Sequence, residues 1–505
     1  MIRSIKNTLA LVNRTPPEVI SLIPDYLEGG ERDKTLIKVT HVCQRWRRIF
    51  VSRPSLWTRL DCKHVEKTKV YIERSQISPL EIHLDGSGIP HFLEKALRLA
   101  VSHIGRLDTL SVSSWRPLVT PALLPALVKH FSRPVPLLKR LKIDLTRDPS
   151  PALPGTLFSG DLSSLRELHL TAALVPLSWS GLENLTIFTL SGVLDRYTIL
   201  AHLLDFFVAA PRLCDIELHN SAPAHSNAPP GRIVSLRNLK KLGIIGCFTN
   251  SILLDHLSIP SGATVTLVFN FSGPISPIPP RIPHALDNLH NLSHITAVNF
   301  CFGRKRRAIQ LNGPSGELYV HGKWIREGAR HHLGTNRLLR FINRFDASRC
   351  RRLQITQYGC RLDPSAPIAA CAIYQLLLPM GDLHTLTLTE SNQLPFILTL
   401  NPDKNSDKIV LCPELEEITV YFGHSRYLLH IEELLDMAEA RALRGVRLSV
   451  ITIVCVDALT PPRGVSKLRK HVSRVECKFN NVLPAWDHLP ERSWLQSDSL
   501  VDRWR

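Results

Sequence analysis

One short pattern recurs along most of this 505-residue chain: a leucine, two variable residues, an apolar residue, one variable residue and a second apolar residue. It occurs at Leu107–Val112, Leu138–Ile143, Leu165–Leu170, Leu213–Leu218, Leu239–Ile244, Leu383–Leu388, Leu415–Val420 and Leu443–Leu448. The alternation at the end of each segment predicts a short strand with one buried side. Clear neighbours are about 26 to 33 residues apart, which leaves room for a helix between strands.

Helical patterns fall in those intervals, for example Ile199–Ala209 and Ile431–Leu443. A single strand with its helix cannot bury its own apolar side, so successive units must stack. The pattern resembles leucine-rich repeats, although asparagine is mostly missing from the position that follows the strand. The resemblance implies an irregular solenoid in which the residues between the strand leucines share one surface. The predicted substrate surface consists of Lys142, His169, Glu217, Gln354, Thr387, Thr419 and Arg447.

Residues 14–57 carry a different and denser set of local signals. Thr15 lies three residues before Glu18, the spacing of a helix capping box, and Pro16 suits the first helical position. Pro24 predicts a break in this first helix. The first helical pattern consists of Val19, Ile20, Ile23 and Leu27. The second follows Gly29-Gly30 and consists of Leu36, Ile37, Val39, Val42, Cys43, Trp46, Ile49 and Phe50. Pro54 ends the second pattern, so we expect a small helical module.

The order of these pieces resembles the F-box, with HVCQRWR and SRPSLW similar to fungal F-box-like proteins. The resemblance implies docking to a Skp-type adaptor on the cullin scaffold of a ubiquitin ligase. The predicted adaptor-binding residues are Pro16, Pro17, Glu18, Val19, Ile20, Ile23, Leu27, Val39, Val42, Cys43 and Trp46. Trp46 is the expected anchor. A module this short shows more apolar side chains than it can bury alone, which favours a binding surface over a purely internal core.

Charge keeps a second function open. The chain has 62 lysines and arginines against 44 acidic residues, a net charge of +18. Such a balance is compatible with nucleic acid as a partner. Under this alternative the basic solenoid binds nucleic acid, and the F-box-like segment is only a structural cap. The one tight basic run is Arg304–Arg307, and the aromatic residues Phe300, Phe302 and Trp324 lie near it in the sequence.

Catalytic and metal-binding motifs do not appear in the sequence, which lacks GxSxG, a P-loop, HExxH and CxxC. The pair His331-His332 has no third metal ligand nearby. The 11 cysteines lie mostly in apolar surroundings and predict reduced thiols in an intracellular protein. We therefore expect a protein that is not an enzyme and needs no cofactor.

Together these signals predict an α/β chain with a small N-terminal helical F-box followed by an irregular leucine-rich-repeat-like solenoid. The expected divisions are a lead-in segment at 1–12, the F-box-like domain at 13–62, the solenoid at 63–475 and a cap or tail at 476–505. The apolar run Val446–Val456 is too short to span a bilayer and predicts a strand. The expected function is a substrate-recognition adaptor that acts in the cytoplasm, the nucleus or both.

Overall fold

The computed structural model describes residues 14–23, 31–85, 90–113, 127–145, 153–176, 179–192, 200–219, 231–246, 251–271, 288–303, 306–324, 342, 345–358, 370–389, 393–405, 407–422, 431–455 and 464–479. These residues fall into two compact units of mixed helix and strand. The first unit contains the described residues up to 270 together with 288–290, and the second contains 271 and those from 291 onward.

The chain begins with a small group of helices. They are α1 (Pro17–Leu22), α2 (Glu31–Val39) and α3 (Gln44–Val51), followed by a 3₁₀ turn at Pro54–Trp57. The predicted cap at Thr15 is wrong: Pro16 is the N-cap, and no side chain caps the helix. A residue before proline is disfavoured in the helical region, so Pro16 stays extended and helix α1 begins at Pro17.

The second predicted helical pattern is divided into α2 and α3 by a turn at residues 40–43. The Thr40 hydroxyl donates to the Ile37 carbonyl at 2.7 Å, and Cys43 is extended with φ −159°. This local hydrogen bond competes with continuation of the helix. Pro24, Leu27, Gly29 and Gly30 lie outside the described residues.

The first unit contains a parallel sheet. Its strands are β1 (Arg59–Leu60), β2 (Leu80–Asp85), β3 (Leu107–Ser113), β4 (Arg140–Asp144), β5 (Glu167–Thr171), β6 (Ile187–Ser191), β7 (Asp215–His219), β8 (Val234–Ser235), β9 (Lys241–Ile245), β10 (Leu257–Ser258) and β11 (Thr264–Phe271). The spatial order is β1-β2-β3-β4-β5-β6-β7-β9-β11, with every neighbour parallel. Strands β8 and β10 pair with each other. Among the described strands of the first unit, β1 and β11 stand at the two ends of this order.

The repeated leucine pattern explains how this sheet is buried. Leu168 and Leu170 of β5 lie in register with Phe188 and Leu190 of β6, and all four side chains are buried. The first leucine of the pattern, such as Leu165, lies in the turn before the strand and is also buried. Parallel strands need a crossover connection, which the intervening chain supplies.

The helices that accompany this sheet are α4 (Val65–Ser75), α5 (Pro90–Val101), α6 (Leu200–Ala209) and α7 (Ser251–Leu254), with 3₁₀ turns at Ile104–Arg106, Leu157–Gly160 and Leu182–Asn184. The ring of Phe188 on β6 lies 4.4 Å, centroid to centroid, from Phe206 on α6. The apolar side of the sheet therefore packs against helix α6.

The second unit repeats the parallel arrangement after an antiparallel start. Its strands are β12 (Ala297–Gly303), β13 (Arg306–Asn312), β14 (Glu317–Trp324), β15 (Arg352–Tyr358), β16 (Thr385–Thr389), β17 (Glu417–Phe422), β18 (Val450–Cys455) and β19 (Arg474–Phe479). The helices are α8 (Ala370–Leu377), α9 (Gln393–Leu400), α10 (Ile431–Leu443) and α11 (Val465–Leu468), with a 3₁₀ turn at His290–Leu292. Strands β14, β13 and β12 are antiparallel neighbours, and β12-β15-β16-β17-β18-β19 are parallel.

The antiparallel strands lie between residues 297 and 324, where the leucine pattern is absent from the sequence. The connection between β13 and β14 is only four residues long, from 313 to 316. A connection this short joins antiparallel strands but not parallel ones. The departure from the repeat pattern thus corresponds to a change in strand direction.

Candidate functional site

The N-terminal helices enclose a small aromatic core. Trp57 is buried, and its indole N–H donates to the Phe50 carbonyl at 2.9 Å. The ring of Trp46 meets that of Phe50 edge-on at 5.7 Å between centroids. A buried indole needs a partner for its N–H, and the backbone of α3 supplies it to Trp57.

Two arginines attach helix α1 to this core. Arg45 donates to the Thr15 carbonyl at 2.8 Å, just before α1 begins. Arg53 donates to the hydroxyl of Ser21, which itself donates to the Glu18 carbonyl at 2.7 Å. Arginine suits this role because its planar group presents several donors in fixed directions. The two contacts determine which side of α1 faces inward.

The outward side of the helices exposes large apolar side chains. Val19 on α1 is 51% exposed and Val42, in the turn before α3, is 58% exposed. Leu22 and Ile37 are also exposed. These four exposed aliphatic side chains lie within 24 residues of the chain, and exposed apolar patches mark contact surfaces. We refer to Val19, Leu22, Ile37 and Val42 as the apolar surface.

The predicted adaptor-binding residues are divided between this surface and the core. Exposed residues are Pro16, Pro17, Glu18, Val19 and Val42; partly exposed ones are Ile23 and Cys43; buried ones are Ile20, Val39 and Trp46; Leu27 lies outside the described residues. Trp46, the expected anchor, is only 8% exposed and packs inside the domain. The side chain of Trp46 therefore belongs to the core of the domain, and its role in adaptor docking stays a prediction.

Sequence reasoning missed Leu22 and Ile37. Leu22 follows Val19 by three residues and so shares its side of α1, a signal that was present in the sequence. Ile37 adjoins the buried Leu36, and the sequence alone does not say which of two neighbouring aliphatic residues faces inward.

The same helices are joined to the first sheet within the first unit. Strand β1 pairs with β2, so the end of the helical module supplies the first strand. Trp57 meets Tyr71 of α4 edge-on at 5.0 Å between ring centroids, and the Arg74 guanidinium lies 4.3 Å from the Trp57 ring. These contacts extend the core of the helical module onto helix α4.

An ion cluster strengthens this connection. The Lys67 ammonium on α4 lies 2.8 Å from Asp33 Oδ2 of α2 and 2.6 Å from Asp61 Oδ2. Burial acts to raise the pKa of Asp61, but the hydrogen bond and charge of Lys67 outweigh it and leave the pKa below its ordinary value. Lys67 therefore joins α4 to Asp33 of α2 and to Asp61, which follows β1.

The predicted substrate residues of the first unit share one row across the sheet. Lys142, His169 and Glu217 occupy equivalent positions on β4, β5 and β7, with Thr189 of β6 between the last two. All of them face away from the buried leucines and are at least partly exposed. Burial lowers the pKa of His169 below its ordinary value, although Glu167 and Glu217 oppose this.

The predicted residues of the second unit also share a row. Gln354, Thr387 and Thr419 are in register on β15, β16 and β17 and are partly exposed. The row continues through Asn299 of β12 and Thr452 of β18. The polar groups of this row are mainly side-chain amides and hydroxyls.

Arg447 does not belong to that row, and its prediction is wrong. Leu443 ends helix α10 and is exposed, and the strand begins only at Val450. The side chain of Arg447 instead donates to the His471 carbonyl at 3.0 Å. The leucine pattern is displaced here: Leu448, Ile451 and Ile453 are the buried positions, and Thr452 takes the place expected for Arg447.

The described residues give little support to a metal site or a reactive cysteine. Within the described ranges, no group of three histidine, cysteine, aspartate or glutamate side chains could hold a metal ion. The described cysteines are all free thiols, and burial raises the pKa of Cys62 and of Cys412 to about 12, so these two are neutral near pH 7. In the described part of the chain, no helix is both long enough and apolar enough to cross a bilayer.

The nucleic-acid alternative was based on the net charge of +18, with Phe300, Phe302 and Trp324 near the one tight basic run. Phe300 is fully buried on β12 and therefore cannot stack on a base. Arg306 and Arg307 begin β13, whereas residues 304 and 305 lie outside the described residues, as does His331-His332.

The comparison with known families identifies the N-terminal module. A family model described as F-box-like matches residues 13–63, about a tenth of the chain. This range covers α1, α2, α3, the 3₁₀ turn and β1. An F-box-like domain indicates binding to a Skp-type adaptor. No curated protein matches the chain.

Proposed function

We propose that this protein is a substrate-recruiting adaptor of a cullin-based ubiquitin ligase, acting inside the cell. The F-box-like domain at residues 13–63 docks a Skp-type adaptor, and the two strand faces hold a protein substrate. The observation that carries the proposal is the apolar surface, which lies within the matched domain. An exposed aliphatic surface on short helices is suited to a helical partner.

The connection between domain and sheet supports this division of labour. Strand β1 belongs to both, and the Trp57–Tyr71 and Lys67–Asp33 contacts reinforce the connection. A substrate held on the first sheet would therefore keep a defined position relative to the docked adaptor. Ubiquitin transfer would then be accelerated by proximity, with the chemistry performed by other subunits. The protein itself needs no catalytic residue or cofactor in this role.

The solenoid is the architecture that we infer for the strand-containing part. In each unit the parallel neighbours, the buried leucine positions and the half-exposed row between them fit stacked leucine-rich repeats. In such a solenoid the repeats are irregular because the length of chain between successive strands varies. The outward rows are the substrate-binding surface in this proposal.

Docking is tested with the full chain and a purified Skp-type adaptor by isothermal titration calorimetry. The variant Val19→Asp/Val42→Asp places two charges on the apolar surface at exposed positions. We expect its affinity to fall by at least about 100-fold, because a carboxylate desolvated in an apolar contact loses several kcal/mol. The melting temperature should stay close to that of the wild type.

Val208→Asp is the matched control. Val208 lies on α6, outside the F-box-like domain, and is 58% exposed like Val42. This variant should bind the adaptor as the wild type does. Equal affinities for all three proteins would contradict the docking surface, and a wild-type chain that does not bind the adaptor would contradict the proposed function.

A further inference from the structure

Strand β19 of the second unit has one edge that no described strand occupies. Among the described strands it pairs only with β18, in parallel register from Val450 opposite Arg474 to Cys455 opposite Phe479. Such an edge presents a row of backbone N–H and C=O groups with which another strand can pair. The side chains of β19 decide which strand fits there.

The backbone groups at this edge belong to alternate residues. The Arg474 N–H donates to the Ser449 carbonyl at 2.9 Å, on the side of β18. Since backbone direction alternates along a strand, every second residue after Arg474 also faces β18. The residues whose backbone groups face the other edge are Val475, Cys477 and Phe479. No turn or loop of the described ranges forms a backbone hydrogen bond with these three residues.

The apolar side of β19 continues the buried side of β18. Its members are Val475, Cys477 and Phe479, in register with Ile451, Ile453 and Cys455. The β18 residues are buried, whereas Phe479 is 50% exposed and Val475 and Cys477 are partly exposed. The apolar side of the sheet therefore becomes accessible at β19, where the side chains of a further strand would lie beside it.

The polar side of β19 alternates in charge. Glu476 lies between Arg474 and Lys478 and is ion-paired with both, its Oε2 atom 3.0 Å from the Lys478 ammonium. The two basic side chains are 71% and 62% exposed. Because like charges directly opposite each other destabilise a strand pair, a partner strand must place compatible charges here.

One antiparallel register makes β19 complementary to a second copy of itself. With the two-fold axis at Cys477, Glu476 of each copy lies opposite Lys478 of the other, and Val475 lies opposite Phe479. An axis at Glu476 or at Lys478 would instead place like charges opposite each other. An interface around a two-fold axis must be self-complementary, and the register through Cys477 meets this condition.

The backbone fits the same register. Cys477 and its counterpart exchange both N–H···O=C bonds, as does each Val475 with Phe479 of the other copy. Glu476 and Lys478 then form the pairs that lie between these hydrogen bonds, where opposite Cα atoms are only about 4.5 Å apart. The register that pairs the backbone groups of the edge thus also brings the opposite charges closest.

We propose that two copies of this protein associate through antiparallel pairing of their β19 strands, with the two-fold axis at Cys477. The half-exposed Phe479 of one copy then lies beside Val475 of the other. The dimer carries two F-box-like domains, one in each copy. Its formation does not depend on the proposed function, because none of its contacts involves residues 13–63.

Sedimentation equilibrium of the full chain measures this association. A contact between two six-residue strands is small, so we expect a dissociation constant in the micromolar range, measured from about 1 µM to about 200 µM protein. Glu476→Lys places like charges at both symmetric pairs, and so does Lys478→Glu. Each variant alone should associate at least about tenfold more weakly than the wild type.

A mixture of the two variants tests the register itself. Glu476→Lys in one copy and Lys478→Glu in the other bring two basic residues opposite two acidic ones, so the mixture should recover the wild-type association. A loss of stability could not produce this recovery. The control is Glu439→Lys, at an exposed position on α10, which should dimerise as the wild type does.

Three results would overturn the dimer. A wild-type chain that stays monomeric over this range leaves the edge to another occupant, such as residues 480–505 or a strand of a different protein. Dimers that survive both single variants, or a mixture that does not recover, place the contact elsewhere. If Glu439→Lys weakens association as much as the β19 variants do, net charge rather than strand pairing governs it.

Discussion

The two units share a buried pattern and differ in what they expose. Leu168 and Leu170 in the first unit and Ile418 and Val420 in the second are all buried strand positions of one spacing. Between them the first unit exposes His169 and the second Thr419. Apolar burial constrains one side of each strand, while the other side is free to vary. The outward rows are therefore where two such units can acquire different partners.

The outward row of the first unit is charged and titratable, and that of the second is mostly neutral. Lys142, His169 and Glu217 contrast with Gln354, Thr387 and Thr419. Hydroxyls and amides offer hydrogen bonds without a net charge.

The largest expected effect tests whether burial is equally important in both units. Phe188→Ala should lower the free energy of unfolding by about 3–5 kcal/mol, and Ile418→Ala by about 2–5 kcal/mol, because each leaves a cavity. Their outward neighbours, altered in Thr189→Ala and Thr419→Ala, should cost about 1 kcal/mol or less. Urea denaturation measures all four. An outward variant as costly as the buried one would show that the outward rows are structural.

The second unit contains a buried arginine that is hydrogen-bonded to the backbone. Arg441 on α10 is fully buried and donates to the carbonyls of Leu411 and Cys412, at 2.8 Å each. Its burial lowers the pKa to about 10. Arg441→Met should lower the free energy of unfolding by about 2–3 kcal/mol, because two buried carbonyls lose their donor.

Arg232→Met is the control for this prediction. Arg232 belongs to the first unit and forms its ion pair with Asp205 at the surface, where such pairs contribute about 0–1 kcal/mol. Urea denaturation of both variants gives the comparison. A small effect for Arg441→Met would mean that the carbonyls are satisfied in another way.

The smallest expected effect is a pH dependence confined to the first unit. Burial lowers the pKa of His169 in the folded state, so between pH 6.5 and that lower value the unfolded chain binds more protons. Stability should therefore fall as the pH is lowered through 6.5, and His169→Gln should remove part of this fall. Lys142 acts in the same direction as burial, while Glu167 and Glu217 oppose it.

Thermal melts from pH 7.5 to 5 measure this effect. Thr387→Gln, at the equivalent position in the second unit, should leave the pH dependence unchanged. If the melting temperature of His169→Gln changes with pH as that of the wild type does, this histidine does not contribute to the pH dependence of stability.

Several features could be predicted from particular residues. The spacing in Leu165–Leu170 and Leu415–Val420 correctly placed β5 and β17, because alternate apolar residues have only one way to be buried on a strand. The helical periods at residues 199–209 and 431–443 correctly placed α6 and α10. The pieces HVCQRWR and SRPSLW pointed to the F-box-like domain that the family comparison matches.

Other features could not be read from the sequence. Leucine at 443 fits the repeat pattern, but helix α10 extends through it and moves the strand to Val450. Trp46 was expected to be an anchor, yet the packing of α3 places it against Phe50. In both cases the residue type is compatible with two environments, and only the packing of neighbouring elements decides between them.

By itself, the sequence determined the positions of strands such as β5 and β17, the F-box-like module and the polar character of the residues between the strand leucines. Local periodicity is sufficient for these, since a repeating apolar spacing specifies an element and its buried side. Tertiary structure decided which aliphatic residues of the module remain exposed and which polar residues share a row across the strands. Glu167 and Asp215 are 48 positions apart in the chain, and strand pairing alone brings them to one row.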